Sequence, residues 1–141
     1  MPAAIGAKLA QPDQPVVLLS GDGGFLFNCQ ELAIAVQFGV PIVVLLFNDS
    51  AYGVLKPQQE KRYGRTNAVD LVNPDFMMLA RAFGVDSQRV ESIDQLDLTI
   101  TKAIESNQTT INYLCLSWNQ HHGYYTNLEI NNVPKCCIVF S

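Results

Sequence analysis

Short apolar runs alternating with segments of helical spacing place this sequence in the α/β class. The predicted form is a doubly wound domain, its mainly parallel sheet covered by helices on both faces. Three observations carry that prediction. Val16-Val17-Leu18-Leu19 and Ile42 to Phe47 are apolar without polar alternation, as buried parallel strands are. Between them the apolar residues fall at helical intervals. Glycine and proline stand where elements should stop, at Gly21, Gly39, Pro41 and Gly84.

The elements follow in order. The first strand stops at Ser20-Gly21-Asp22-Gly23-Gly24, a glycine turn that no strand continues through. From about Asn28, residues Leu32, Ala35 and Val36 mark one helical face, Gly39 marks its end, and Pro41 breaks it. With Ile42 to Phe47 as a second strand this is a βαβ unit, parallel and right-handed in its connection. Asn73-Pro74-Asp75 reads as a helix start, with Asn73 as the cap, proline at the first helical position and an acid in the first turn. Phe76, Leu79, Ala80 and Phe83 continue that helix, and Gly84 stops it. A brief strand near Gln88 to Val90 leads to Ser92-Ile93-Asp94-Gln95, which has capping-box spacing. Leu96, Ile100, Ala103 and Ile104 then share one helical face, and a last strand is expected at about Ile111 to Leu116. Residues 1–106 read as the functional domain, and 107–141 as the last strand plus a tail without assignable period.

Composition narrows the partners. The chain has 141 residues, 48% hydrophobic and 16% charged, which fills the core of one domain. Nine Lys and Arg against thirteen Asp and Glu give a net charge of -4, so no basic field is available to hold nucleic acid. The longest apolar stretch, Val40 to Phe47, is far short of the roughly 20 residues that cross a bilayer and contains Pro41, so no membrane partner is expected. The first fifteen residues, with Lys8 as their only basic side chain, lack the plan of a signal peptide, and a cytoplasmic location is expected. The four cysteines form no CxxC pair and read as reduced thiols. His121-His122 and Cys136-Cys137 are metal-ligand types, but adjacent pairs lack the spacing that lets both members reach one ion.

In open parallel sheets, ligands bind beyond the carboxyl ends of the strands, where the turns after Leu19 and Phe47 should lie side by side. Glycines 21, 23 and 24 let the backbone approach a ligand and aim N–H groups at it, an arrangement that favours phosphate. Asp22 would repel that phosphate unless a hard cation such as Mg²⁺ lay between them, and Asp49 could reach the same ion. Two other readings stand beside this one. A glycine-rich strand end is common in α/β domains without a ligand. A Rossmann nucleotide site would use Asp49 on a ribose, although Leu26 stands where its third glycine should be.

Pro2-Ala3-Ala4-Ile5-Gly6-Ala7-Lys8-Leu9-Ala10, Gly21-Asp22-Gly23-Gly24-Phe25, Glu31-Leu32-Ala33 and Asn48-Asp49-Ser50-Ala51-Tyr52-Gly53 together resemble the C-terminal domain of thiamine-diphosphate enzymes of the acetolactate synthase and 2-oxo acid decarboxylase group. Asn73-Pro74-Asp75-Phe76 and Ala80-Arg81-Ala82-Phe83-Gly84 are also similar to that domain, and the resemblance runs from residue 2 to about 106. It implies the thiamine-diphosphate-binding fold, with thiamine diphosphate and Mg²⁺ as cofactors. Asp22 and Asp49 would ligate Mg²⁺ through their side chains and Ala51 through its backbone carbonyl. Backbone N–H groups of Gly23, Gly24 and Phe25 would hold the diphosphate, with Gly21, Tyr52 and Gly53 bordering it. The family often has Asn where this chain has Asp49, which makes the site here more negative.

The family's cofactor serves as electron sink while CO₂ leaves a 2-oxo acid, after which the product is released as an aldehyde or joined to a second carbonyl compound. The resemblance implies that the activating glutamate resides in a separate pyrimidine-binding domain, normally on a neighbouring subunit of a homo- or hetero-oligomer. No catalytic residue is therefore assigned here, and Glu31 reads as structural. Leu55 and Gln58 are candidates for contact with a small 2-oxo acid, although the charge-rich segment around them reads equally as solvated surface. The alternative to a domain that is incomplete alone is a non-catalytic remnant or interaction module that keeps the fold.

Overall fold

The computed structural model describes residues 1–92, 95–115 and 137–140. A first helix, α1 (Pro2–Ala10), leads to β1 (Val16–Gly21), the short α2 (Asp22–Leu26), a 3₁₀ turn (Cys29–Glu31) and α3 (Leu32–Gln37). Then come β2 (Val43–Asn48), α4 (Leu55–Tyr63), α5 (Phe76–Ala82), β3 (Asp86–Val90), α6 (Leu96–Glu105), β4 (Thr110–Cys115) and β5 (Cys137–Phe140). The five strands form one sheet in the order β3-β4-β2-β1-β5, every pair parallel.

The helices lie on both faces because alternate strand residues point to opposite sides. Val16, Leu18, Val44 and Leu46 face a core built with Ala4 and Ile5 of α1, Phe25 of α2, Leu32 and Ala35 of α3, and Phe76 and Ala80 of α5. Val17, Val43, Leu45 and Phe47 face the other, where Leu96, Ile100 and Ala103 of α6 cover them. Every residue of β2 is buried, which accounts for a strand sequence with no polar alternation. The doubly wound α/β class is thus the one observed.

Several local expectations need correction. The chain after β1 coils at once into α2 instead of making an open glycine turn, and neither Gly21 nor Gly23 has positive φ. The following helix is shorter than expected, and Val36 is exposed because α3 directs Leu32 and Ala35 at the sheet. The cap of α5 is Asp75, whose Oδ1 accepts from the N–H groups of Met77 (2.9 Å) and Met78 (3.0 Å), so Asn73 is not the cap and Pro74 precedes the helix. The start of α6 is Gln95, whose N–H donates to the backbone carbonyl of Ser92, and Ser92 supplies no side-chain cap. Gly39 and Gly84, expected as stops, follow their helices in the left-handed region at φ +59 and +72. Cys137–Phe140, in the tail without assignable period, pairs in parallel with Val16 to Leu19 of β1. Ile93, Asp94, Leu116, His121, His122 and Cys136 lie outside the described residues.

Candidate functional site

Parallel pairing sets Gly21 beside Phe47 at the carboxyl ends of β1 and β2, so the segments starting at Asp22 and Asn48 leave the sheet side by side. Ser20, Asp22 and Asn48 are buried there, among apolar strands that would not bury polar groups without partners. Asp22 is 2% exposed. Its Oδ1 accepts from the Gly23 N–H (2.9 Å) and its Oδ2 from Asn73 Nδ2 (2.5 Å). Asn73 Nδ2 also donates to Asn48 Oδ1 (2.8 Å), so one amide bridges the two strand ends. Asn48 Oδ1 further accepts from the Ser50 N–H (2.9 Å), and Asn48 Nδ2 donates to the Tyr113 hydroxyl (2.8 Å) on β4.

The loop after β2 turns sharply at Ser50, φ +55. Asp49 Oδ1 accepts from the Ala51 N–H (3.2 Å) inside that turn. Ala51 then faces Asp70 in an isolated antiparallel bridge, whose hydrogen bonds run from Tyr52 N–H to Val69 O and from Leu71 N–H to Ser50 O, each 2.8 Å. In such a pair the bonds are made by the flanking residues, so the Ala51 carbonyl points away from the ladder, towards the side where Asp49 holds its N–H.

The glycines act differently from one another. A Cβ on Gly23 would lie 2.5 Å from Cε1 and 2.9 Å from Cδ1 of Tyr52, so its bareness admits the Tyr52 ring, which stacks in turn on Phe27 with centroids 6.4 Å apart. A Cβ on Gly53 would collide with the Asp49 carboxylate, so this glycine admits that side chain. Around Gly21 there is open space. Phe25 is buried and packs edge-on against Phe76, centroids 6.0 Å apart, which anchors α2 to α5.

Asp22, Gly23, Asp49, Ala51, Tyr52 and Gly53 are therefore gathered at the two strand ends, with Gly21, Gly24 and Phe25 in the segment that opens on them. Leu55 and Gln58 are set apart on α4, both exposed, on a helix that buries no residue. That helix is tied down by Leu55 and Lys56 N–H bonds to the Tyr52 carbonyl and by the Lys56–Asp70 ion pair, 2.6 Å. Glu31 lies in the 3₁₀ turn, where its charge opposes the lowering that burial imposes on the pKa of the Met1 amino group. Sequence reasoning missed Asn73 as a site residue. The signal was present in Asp75, a second capping residue that leaves the Asn73 side chain spare.

Hard oxygen donors fit this place. Two carboxylates and a carbonyl outside its ladder lie on adjoining loops, and Asn73 Oδ1 is buried with no hydrogen-bond partner among the described residues. Among the described residues no three His, Cys, Asp or Glu side chains gather as a metal site, so a cation here would draw on backbone oxygen or water as well.

A parallel α/β sheet with its polar groups collected beyond the carboxyl ends of adjacent strands defines the class, an open-sheet ligand-binding domain. A family model described as the C-terminal TPP binding domain of thiamine pyrophosphate enzymes matches residues 1–112, and the chain belongs to that family. An acetolactate synthase of Bacillus subtilis (strain 168) is 40% identical over 135 residues, spanning 96% of this chain and 23% of its own length. A probable acetolactate synthase large subunit of Methanocaldococcus jannaschii is 41% identical over 109 residues, 76% of this chain and 18% of that protein. Among solved structures, a thiamine diphosphate-dependent 4-hydroxybenzoylformate decarboxylase of Rhodococcus jostii RHA1 superposes with a TM-score of 0.77 at 30% identity, covering 83% of this chain and 22% of that one. The chain thus spans less than a quarter of the length of these relatives. Among the described residues no helix is long and apolar enough to cross a membrane.

Proposed function

We propose that this chain supplies the diphosphate- and Mg²⁺-binding half of the active site of an enzyme that decarboxylates or ligates 2-oxo acids, in the manner of acetolactate synthase. The observation that carries this reading is the buried Asp22 carboxylate, joined through Asn73 to the Asn48–Asp49 loop on the next strand. Asp22, Asp49 and the Ala51 carbonyl would hold the cation, which offsets their charge against that of a diphosphate. Gly23, Gly24 and Phe25 would lie along the diphosphate: the Gly24 N–H stands in the first turn of α2, where helical donors lack intrahelical partners, and the Gly23 N–H would exchange its bond to Asp22 Oδ1 for the diphosphate. Thiamine diphosphate, when bound, supplies an electron sink for cleavage beside a 2-oxo group. The side chains here orient the cofactor's diphosphate end, and the activating glutamate comes from a pyrimidine-binding domain or subunit in an oligomer. Leu55 and Gln58, at the exposed start of α4, would meet the 2-oxo acid where that partner closes over them.

Calorimetric titration with thiamine diphosphate, with and without Mg²⁺, tests the reading on the chain and its Asp22→Ala variant. Binding should require the metal and be lost in the variant. Binding indifferent to both would overturn it.

A further inference from the structure

We propose that Asn73 is a positioning residue of the cation site, setting the Asp22 carboxylate and the Asn48–Asp49 loop against one ion. The inference rests on the cation reading above and extends it to a residue 51 positions away in sequence from Asp22.

The chemistry of the amide explains the choice of side chain. Asp22 Oδ2 and Asn48 Oδ1 are both acceptors, and the two N–H bonds of a single amide nitrogen satisfy both, as Asn73 Nδ2 does at 2.5 and 2.8 Å. Bridging them fixes the rotamer of Asp22 and, through the bond from Ser50 N–H to the same Asn48 oxygen, the turn that carries Asp49 and Ala51. The other end of the network is pinned to the sheet by the Asn48–Tyr113 bond, so Asn73 joins the loops to a rigid element and not merely to each other. Asn73 is also released from any duty to α5, because Asp75 caps that helix alone.

Asn73 Oδ1 completes the case. It is a buried acceptor without a partner among the described residues, which is costly unless something supplies a hydrogen. Mg²⁺ takes six oxygen ligands, so the two carboxylates, the Ala51 carbonyl and the diphosphate would still leave room for a water, and such a water is the donor this oxygen calls for. Asn73 would then touch the ion's hydration shell with one atom and a protein ligand with the other. Groups of that kind typically change metal affinity about 10–100-fold when removed.

The test uses Mn²⁺, read by the loss of its free-ion EPR signal, titrated into the 141-residue chain in the presence of thiamine diphosphate. Asn73→Ala should weaken Mn²⁺ binding about tenfold or more. Asp75→Ala removes the α5 cap without touching the bridge and should bind Mn²⁺ within about twofold of the parent, although it melts earlier. If Asn73→Ala melts too early to titrate, Asn73→Ser replaces it, since a hydroxyl there has one hydrogen and cannot serve both acceptors; the same loss is expected. An Asn73 variant that binds as the parent does, or an equal loss in Asp75→Ala, overturns the proposal by reducing the bridge to packing. A parent chain that fails to take up Mn²⁺ overturns the cation reading itself, and the role of Asn73 with it.

Discussion

Gly21 and Gly23 belong to one motif, yet alanine should act differently on stability at the two positions. Carbon atoms in contact sit about 3.5–4.0 Å apart. The new methyl of Gly23→Ala would stand 2.5 and 2.9 Å from the Tyr52 ring edge and 3.2 Å from Leu71 Cδ1, an overlap of about 1 Å at worst. Overpacking of this kind costs about 1–3 kcal/mol. Relief requires Tyr52 to swing away, which gives up its stack on Phe27, worth about 0.5–1.5 kcal/mol. Alanine's better helix propensity returns about 1 kcal/mol within α2, leaving a net loss of about 2 kcal/mol. Gly21, at φ -75 and ψ 160 with no atom within 4 Å of where a Cβ would stand, should accept alanine within about 0.5 kcal/mol. Urea denaturation at unchanged m-value measures both. Repeating Gly23→Ala in a Tyr52→Ala background should abolish the loss, since the ring is its cause. A Gly23→Ala chain as stable as the parent, or a loss that persists without the ring, would refute the reasoning.

Asp75→Ala removes two hydrogen bonds at the start of α5 and should cost about 0.5–2 kcal/mol in the same denaturation experiment. Leu18→Ala, at a fully buried position in the β1 core, should cost about 2–5 kcal/mol and lower the melting temperature accordingly. Lys56→Ala breaks the ion pair with Asp70, whose own side chain is 69% exposed; the change should stay below about 1 kcal/mol and shrink further in high salt.

What the sequence made legible follows from the range of the interactions involved. The unbroken apolar runs of β1 and β2 announce burial on both faces, and Phe76, Ala80 and Gly84 announce α5 with its stop, because period and steric signals are written within a few residues. The strand-end placement of Asp22 and Asp49 was equally open to reading, since a parallel βαβ unit fixes which loops become neighbours. The tail was opaque for the opposite reason. Cys137–Phe140 has no period of its own, and its strand geometry is imposed by pairing with β1, more than a hundred residues earlier in the chain. Asn73 shows where local reading misleads. Asn73 and Asp75 are both good caps, and the choice between them depends on whether a buried acceptor elsewhere needs an amide more than the helix does. That acceptor is Asp22, brought within reach only after β1 and β2 have paired and α5 has docked on the sheet through Phe25 and Phe76. The helix is satisfied by a residue two positions further on, whereas an aspartate left only 2% exposed has few other donors, so tertiary demand outranks local propensity at this position.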